Sequence, residues 1–169
     1  MFDLMAFGET LVRLSPSGPE VIEQTAALNM YPAGSELNVS VAAQRLGLKV
    51  AYVSKVADNP LGHYIVNKCR EHGVDVSHVK YSPTDRQGLY FFENNAPPRP
   101  GIAYYDRADS AFANADVKDF NWDEIVTQTK VFLASGINPA LGDNAHKVTL
   151  AGVKAAHKAG KLVAFDINY

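Results

Sequence analysis

Glu36-Leu37-Asn38-Val39-Ser40-Val41-Ala42-Ala43-Gln44-Arg45-Leu46-Gly47 runs directly into Leu48-Lys49-Val50-Ala51-Tyr52-Val53-Ser54-Lys55. The first block predicts a helix over Glu36 to Leu46: Leu37, Val41 and Ala42 share one face, and Leu46 closes it. Gly47 stands where a left-handed C-terminal cap belongs. The second block is compact and rich in branched and aromatic residues, which predicts a buried strand over Val50 to Lys55. Helix, glycine, buried strand is therefore the unit from which the rest of the chain is read.

The unit recurs twice. Leu61, Ile65, Val66 and Cys69 form a helical stripe ended by Gly73, while Val148, Gly152, Ala155 and Ala156 form another ended by Gly160, with Asn144 as its expected N-cap. Leu4 to Phe7, Val131 to Ser135 and Leu162 to Asp166 read as further buried strands. Parallel neighbours need a long crossover, and a helix supplies it. The alternation therefore predicts an α/β fold with a parallel sheet covered on both faces.

Two regions break the alternation, about 9–30 and 87–107. In the second, Gly88-Leu89-Tyr90-Phe91-Phe92 and Ile102-Ala103-Tyr104-Tyr105 flank the turn-rich Asn94-Asn95-Ala96-Pro97-Pro98-Arg99-Pro100-Gly101. Both regions are read as extra strands outside the main sheet, forming one wall of a ligand cleft.

With 169 residues, 47% hydrophobic and 20% charged, the chain can bury a core as one domain. A formal charge of −2 gives no footprint for nucleic acid, and no basic run marks a membrane surface. The start, Met1-Phe2-Asp3-Leu4, lacks a secretion signal and no segment is long and apolar enough to span a bilayer, so a cytoplasmic location is the default expectation. The single cysteine, Cys69, excludes an intrachain disulfide and reads as an inert core thiol.

Small-molecule chemistry is thus the class to examine. The three-glycine dinucleotide fingerprint, the P-loop and the Gly-x-Ser-x-Gly elbow are absent, and the five histidines show no metal-ligand spacing. His72 and His157 fall near helix C-termini, where a cation is favoured structurally.

Three groups remain. At Ala33-Gly34-Ser35-Glu36-Leu37-Asn38, Gly34 lets backbone approach a ligand without a Cβ, and the amides of the helix start can bind hydroxyl or anionic oxygens; the competing reading is a loop capped by Ser35. Tyr105 and Arg107 are two apart in an expected strand and face the same way, opposite Tyr104 and Asp106. A guanidinium beside a phenol suits a substrate with a carboxylate and hydroxyls, and Tyr90 on the partner strand can add a contact; a solvated edge strand accounts for the same pattern. Asp166 and Asn168 follow the last buried strand at its carboxyl end, where open α/β sheets place ligands, although loop-capping polar residues explain them equally.

Taken in series, these residues resemble a known family. Gly8-Glu9-Thr10-Leu11-Val12-Arg13, Ala33 through Ala42 with Arg45-Leu46-Gly47, Val53 through Gly62, Gly73-Val74-Asp75, Gly88-Leu89-Tyr90, Tyr104 through Arg107, Ser110-Ala111, Ser135-Gly136-Ile137 and Asp166-Ile167-Asn168-Tyr169 are similar, in order, to ribokinase-like (phosphofructokinase B type) carbohydrate kinases. Within that family the pattern is most similar to 2-keto-3-deoxygluconate kinases.

The resemblance implies a ribokinase-like three-layer fold with a small β-sheet lid, transfer of the γ-phosphoryl group of ATP to a sugar hydroxyl with Mg2+, and a homodimer made through the lid strands. It assigns the sugar to Gly34, Asn38, Tyr90, Tyr105 and Arg107, and sets Asp166 and Asn168 on the phosphate side. Ala57 stands where the family usually has glycine, and Asp106 is an extra residue that leaves Tyr104 a rival for the role of Tyr105. The family continues past Tyr169 with an arginine and later a Gly-Ala-Gly-Asp motif carrying the catalytic base, so the resemblance makes residues 1–169 the amino-terminal part, without the ATP-binding part, and expected to be inactive alone. Other readings are a kinase for fructose, ribose or another neutral sugar, and a non-catalytic module that binds sugar or dimerises.

Overall fold

The computed structural model describes residues 1–168; Tyr169, the end of the Asp166–Tyr169 motif, lies outside the described residues. Nine strands are present among the described residues: β1 (Phe2–Phe7), β2 (Leu11–Ser15), β3 (Asn29–Ala33), β4 (Val50–Ala57), β5 (Asp75–Ser82), β6 (Leu89–Glu93), β7 (Ile102–Asp106), β8 (Thr129–Ser135) and β9 (Leu162–Asp166). The helices are α1 (Ser35–Arg45), α2 (Pro60–Glu71), the single turn α3 (Trp122–Ile125) and α4 (Asp143–Lys158).

β1 lies at the centre of a five-stranded sheet of order β5-β4-β1-β8-β9, all its pairings parallel. Leu4 of β1 sits level with Val50 on one side and Val131 on the other, so the apolar runs read as buried strands lie side by side. On one face Met5, Phe7, Val53 and Phe132 pack with Phe112, Phe120, Trp122 and the small residues of α4. On the other, Ala6, Tyr52 and Val56 meet Leu37 of α1 and Ile65, Val66 and Cys69 of α2. Burying both faces of the strands explains why they read as continuous rather than alternating apolar runs.

All three expected glycine caps have the backbone that only glycine adopts freely: Gly47, Gly73 and Gly160 have φ of 91°, 77° and 69°. Burial pushes the Cys69 thiol up to about 12, as suits an inert core group.

Three local expectations need correction. The α1 face that packs inward is Glu36, Leu37, Ser40 and Ala43, while Ala42 and Leu46 are exposed. Ser40 can be buried because its hydroxyl donates to the Glu36 carbonyl oxygen at 2.8 Å. Neither Ser35 nor Asn144 is an N-cap: Gly34 and Gly142 occupy those positions, and both polar residues lie inside their helices. β5 was not anticipated as a strand, because Asp-Val-Ser-His-Val-Lys-Tyr-Ser is polar at alternate positions and occupies the sheet edge. β9 is the strand expected over Leu162 to Asp166 but not a buried one: it forms the opposite edge among the described residues and leaves Leu162 and Phe165 exposed.

The remaining strands make a second, four-stranded sheet of order β3-β2-β6-β7. Its strands arise from the two regions that interrupt the alternation, with β3 continuing to Ala33 and leading straight into α1. That continuity brings this sheet over the start of α1.

Candidate functional site

Residues paired across strands point to the same side of a sheet. Arg13 pairs with Tyr31 and with Tyr90, and Tyr90 pairs with Tyr105, so these four side chains share one face. Phe91 and Tyr104 pair on the opposite face. The first face looks over the start of α1 and encloses a cleft of about 200 Å³, lined in part by Glu9, Gly34, Asn38, Tyr90, Tyr105 and Arg107. Every residue expected to hold the sugar therefore reaches one hollow. Tyr104 instead lines a separate cavity of about 560 Å³ with Val21, Ile22 and Phe91. That cavity is larger, but its charged lining residues are Glu23 and Glu93, carboxylates that offer an acidic sugar no countercharge, and Glu93 is already engaged by the Ile22 amide and Arg99.

The tyrosine rings of Tyr90 and Tyr105 stack with centroids 5.4 Å apart, and the Arg107 guanidinium carbon lies 5.4 Å from the Tyr105 ring. Burial pushes the Tyr90 phenol up, so it remains a neutral donor and acceptor near pH 7. Arg107 follows the last residue of β7 and is held by Glu9: its Nε donates to Oε2 at 2.8 Å, and its Nη2 donates to the same oxygen. Ser110 donates to the other carboxylate oxygen at 2.6 Å. The Glu9 side chain is only 2% exposed, against 22% for Arg107. A nearly buried carboxylate thus fixes the guanidinium plane and cancels its charge. No hydrogen bond occupies Nη1 among the described residues.

Glu9 escaped the sequence reading as a functional residue. The signal was there: an acid in Ala6-Phe7-Gly8-Glu9-Thr10-Leu11-Val12 lies between two apolar runs, where a carboxylate persists only with partners. The structure also gives glycine at position 34 a packing reason that the sequence did not show. A Cβ there would stand 2.5 Å from the Glu9 carbonyl oxygen, so the residue is small to let α1 dock on the Glu9–Thr10 backbone. Its φ of −166° is ordinary extended backbone.

Behind the cleft, Asn138 ties these pieces together. Its amide nitrogen donates to the Phe7 carbonyl and to Glu36 Oε1, both at 2.9 Å, while its oxygen accepts from the Glu9 backbone at 3.4 Å. Burial raises the Glu36 carboxyl; Ser135 and Asn138 lower it in part, and the Asp166 charge adds to the rise. Ser135 Oγ is buried close by with no hydrogen-bond partner among the described residues. Asp166 and Asn168 do not line the cleft. Asp166 Oδ1 accepts from the Asn168 amide at 2.9 Å, which is the loop-capping role, and Asn168 Nδ2 donates to Ser35 Oγ at 2.9 Å, which brings it to the cleft rim. Asn168 has φ of 58°, a left-handed conformation that asparagine tolerates.

A family model described as pfkB family carbohydrate kinase matches residues 1–169. The chain belongs to that family. This pfkB chain is 42% identical to 2-dehydro-3-deoxygalactonokinase from Haloferax volcanii over 99% of its own length and 52% of that protein. It is 33% identical to 2-dehydro-3-deoxygluconokinase from Thermoproteus tenax over 99% of its length and 50% of the relative. The crystal structure of 2-dehydro-3-deoxygluconokinase from Thermotoga maritima superposes with a TM-score of 0.95 at 34% identity, covering 100% of this chain and 52% of that one. The pfkB chain therefore spans about half the length of the curated relatives it matches, and its α/β fold is the ribokinase-like one expected from the sequence.

Proposed function

We propose that the whole protein phosphorylates a hydroxyl of a sugar acid, 2-keto-3-deoxygluconate or its galactonate epimer, with ATP as donor, and that residues 1–168 supply the sugar-binding side. The observation that carries this reading is the convergence of Gly34, Asn38, Tyr90, Tyr105 and Arg107 on one cleft of about 200 Å³. Two stacked phenols and a guanidinium offer donors and acceptors at fixed angles on an apolar wall, which suits a polyol that alternates C–H and O–H surface. The relatives carrying 2-dehydro-3-deoxy-acid names support the acid over a neutral ketose.

In this reading the second sheet is a lid, and its residues bind and orient the sugar while excluding water. Tyr105 fills the role for which Tyr104 was a rival, because Tyr105 shares the cleft with Arg107 and Tyr104 faces away. Glu9 holds the guanidinium flat so that Nη1 is aimed without reorganisation when substrate arrives. ATP with Mg2+ supplies the phosphoryl group. The residues here do not suit the triphosphate by themselves: Glu36 and Asp166 both bring negative charge to the carboxyl end of the parallel sheet, and neither has an ion-pair partner among the described residues. We assign nucleotide binding to the remainder of the protein, and infer that residues 1–169 alone do not turn over. The lid face also exposes Tyr31 at 44% and Tyr105 at 63%, which supports a homodimer in which two lids cover one another.

The test is an assay of the whole protein for ATP-dependent phosphorylation across ketoses and 2-keto-3-deoxy acids. Turnover of the acids ahead of fructose and ribose is expected. Preference for a neutral sugar would move the substrate assignment, and no turnover of any sugar would remove the kinase reading.

A further inference from the structure

The outward side of α1 carries apolar surface that the core does not take. Its inward face is Glu36, Leu37, Ser40 and Ala43, whereas Val41 is half-buried and Ala42 is exposed. With Asn38 and Arg45 these two stand at i, i+3, i+4 and i+7, a continuous stripe along the helix. The stripe lines a groove of about 390 Å³, together with Lys68 and His72 from the end of α2 and Pro32 of β3. That volume falls within the range of about 300–1,000 Å³ usual for small-molecule sites.

The groove is cationic. Arg45, Lys68 and His72 line it, and no carboxylate does. The cavity beside Tyr104, lined by Glu23 and Glu93, has the opposite sign. Lys68 is shared with Glu71, to which its Nζ donates at 2.9 Å. Arg45 has no ion pair among the described residues; its Nη2 donates to His72 Nδ1 at 3.4 Å, a long bond to a nitrogen that accepts only while it carries no proton. The partial negative charge at the ends of α1 and α2 accounts for basic residues at these positions. It does not account for the apolar stripe beside them.

We propose that this groove is a second small-molecule site, separate from the sugar cleft, and that it takes a phosphate monoester with an apolar body. Val41, Ala42 and Pro32 cover the body, and the phosphate presents three acceptor oxygens to donors carried on two helices. A bare anion gains nothing from the apolar wall, and a neutral molecule leaves Arg45 uncompensated. The site goes beyond the sugar-kinase reading and does not depend on it. Among the described residues Asn38 alone lines both hollows, so the groove can be altered without touching the rest of the cleft.

The experiment is a titration of the whole protein, methyl-labelled at valine and alanine, with phenyl phosphate, inorganic phosphate and benzyl alcohol, followed by NMR and calorimetry. Phenyl phosphate should move the Val41 and Ala42 methyl resonances. Inorganic phosphate should bind at least about tenfold more weakly, and benzyl alcohol at the same concentration should leave both resonances in place. Arg45→Gln should weaken phenyl phosphate about tenfold. Ala42→Glu keeps a good helix former at an exposed position and adds a carboxylate to the groove, so it should weaken binding further. Thermal melting checks that both variants fold, and the methyl readout on the unaltered protein stands without them. Unmoved Val41 and Ala42 resonances under millimolar phenyl phosphate overturn the site. Equal affinity for inorganic and phenyl phosphate overturns the apolar body, and phenyl phosphate binding that survives both substitutions puts the ligand elsewhere and overturns the assignment.

Discussion

The two sheets of this chain solve opposite problems. In the five-stranded parallel sheet, Met5, Ala6, Phe7, Ala51, Val53 and Phe132 are wholly buried, and the strands are held by apolar contact on both faces. In the four-stranded sheet, β7 is exposed along its whole length and aromatic side chains stand open to solvent. One sheet is stable because both faces are apolar and buried hydroxyls such as Ser54 and Thr129 are hydrogen-bonded; the other leaves an aromatic face open, as a ligand-binding surface would. The Arg107–Glu9 pair joins them, since Glu9 belongs to the connection leaving the central strand β1 and Arg107 to the end of β7.

The comparison can be broken first in the core. Phe132→Ala is expected to destabilise the chain by about 3–5 kcal/mol in urea unfolding, through lost burial and a residual cavity. A loss below about 1 kcal/mol would mean that the parallel sheet is not the stabilising region. Glu9→Gln comes next, because it strands a guanidinium and the Ser110 hydroxyl: about 2 kcal/mol is expected, less than for a fully buried pair because Arg107 is partly exposed, and sugar affinity should fall with it. Tyr105→Ala should separate the two properties. Stability should change by no more than about 0.5 kcal/mol at this exposed position, while sugar affinity drops about tenfold.

The pH dependence sharpens the account of Glu36. A carboxyl whose folded value is raised binds its proton more tightly folded than unfolded, so its contribution is complete below the ordinary value of 4.5 and is lost as pH rises through the raised one. The stability difference between Glu36→Gln and the unaltered protein should therefore widen in favour of the glutamine as pH rises from 4.5, measured by thermal melting. A difference that stays flat or reverses would contradict the burial cost assigned to Glu36. The smallest effect is expected at Tyr104, which faces away from the cleft: Tyr104→Ala should leave sugar affinity unchanged within error.

How much was legible in the sequence follows the same division. β1, β4 and β8 were readable because burial on two faces demands uninterrupted apolar runs, β9 because its apolar run persists although the strand is an exposed edge among the described residues, and α2 and α4 because their stripes repeat at helical spacing. β5 was hidden by its polar edge positions. The inward face of α1 was misjudged because apolar side chains encircle the helix, and the true face includes Glu36 and Ser40, whose burial depends on hydrogen bonds that no periodicity reveals. In the cleft, Tyr105 and Arg107 were legible from their two-residue spacing. Glu9 was not, since its place in the cleft comes from an ion pair across 98 residues of sequence. Gly34 was singled out for letting a ligand approach, and the sequence hid a second demand for glycine, the close passage of its own chain at the Glu9 carbonyl.

A crystal structure of the protein soaked with 2-keto-3-deoxygluconate tests the central claim most directly. The account predicts sugar density against Gly34, Tyr90 and Tyr105, with Arg107 still held by Glu9. Density in the outer cavity beside Val21 and Tyr104, with the inner cleft occupied by solvent alone, would contradict it.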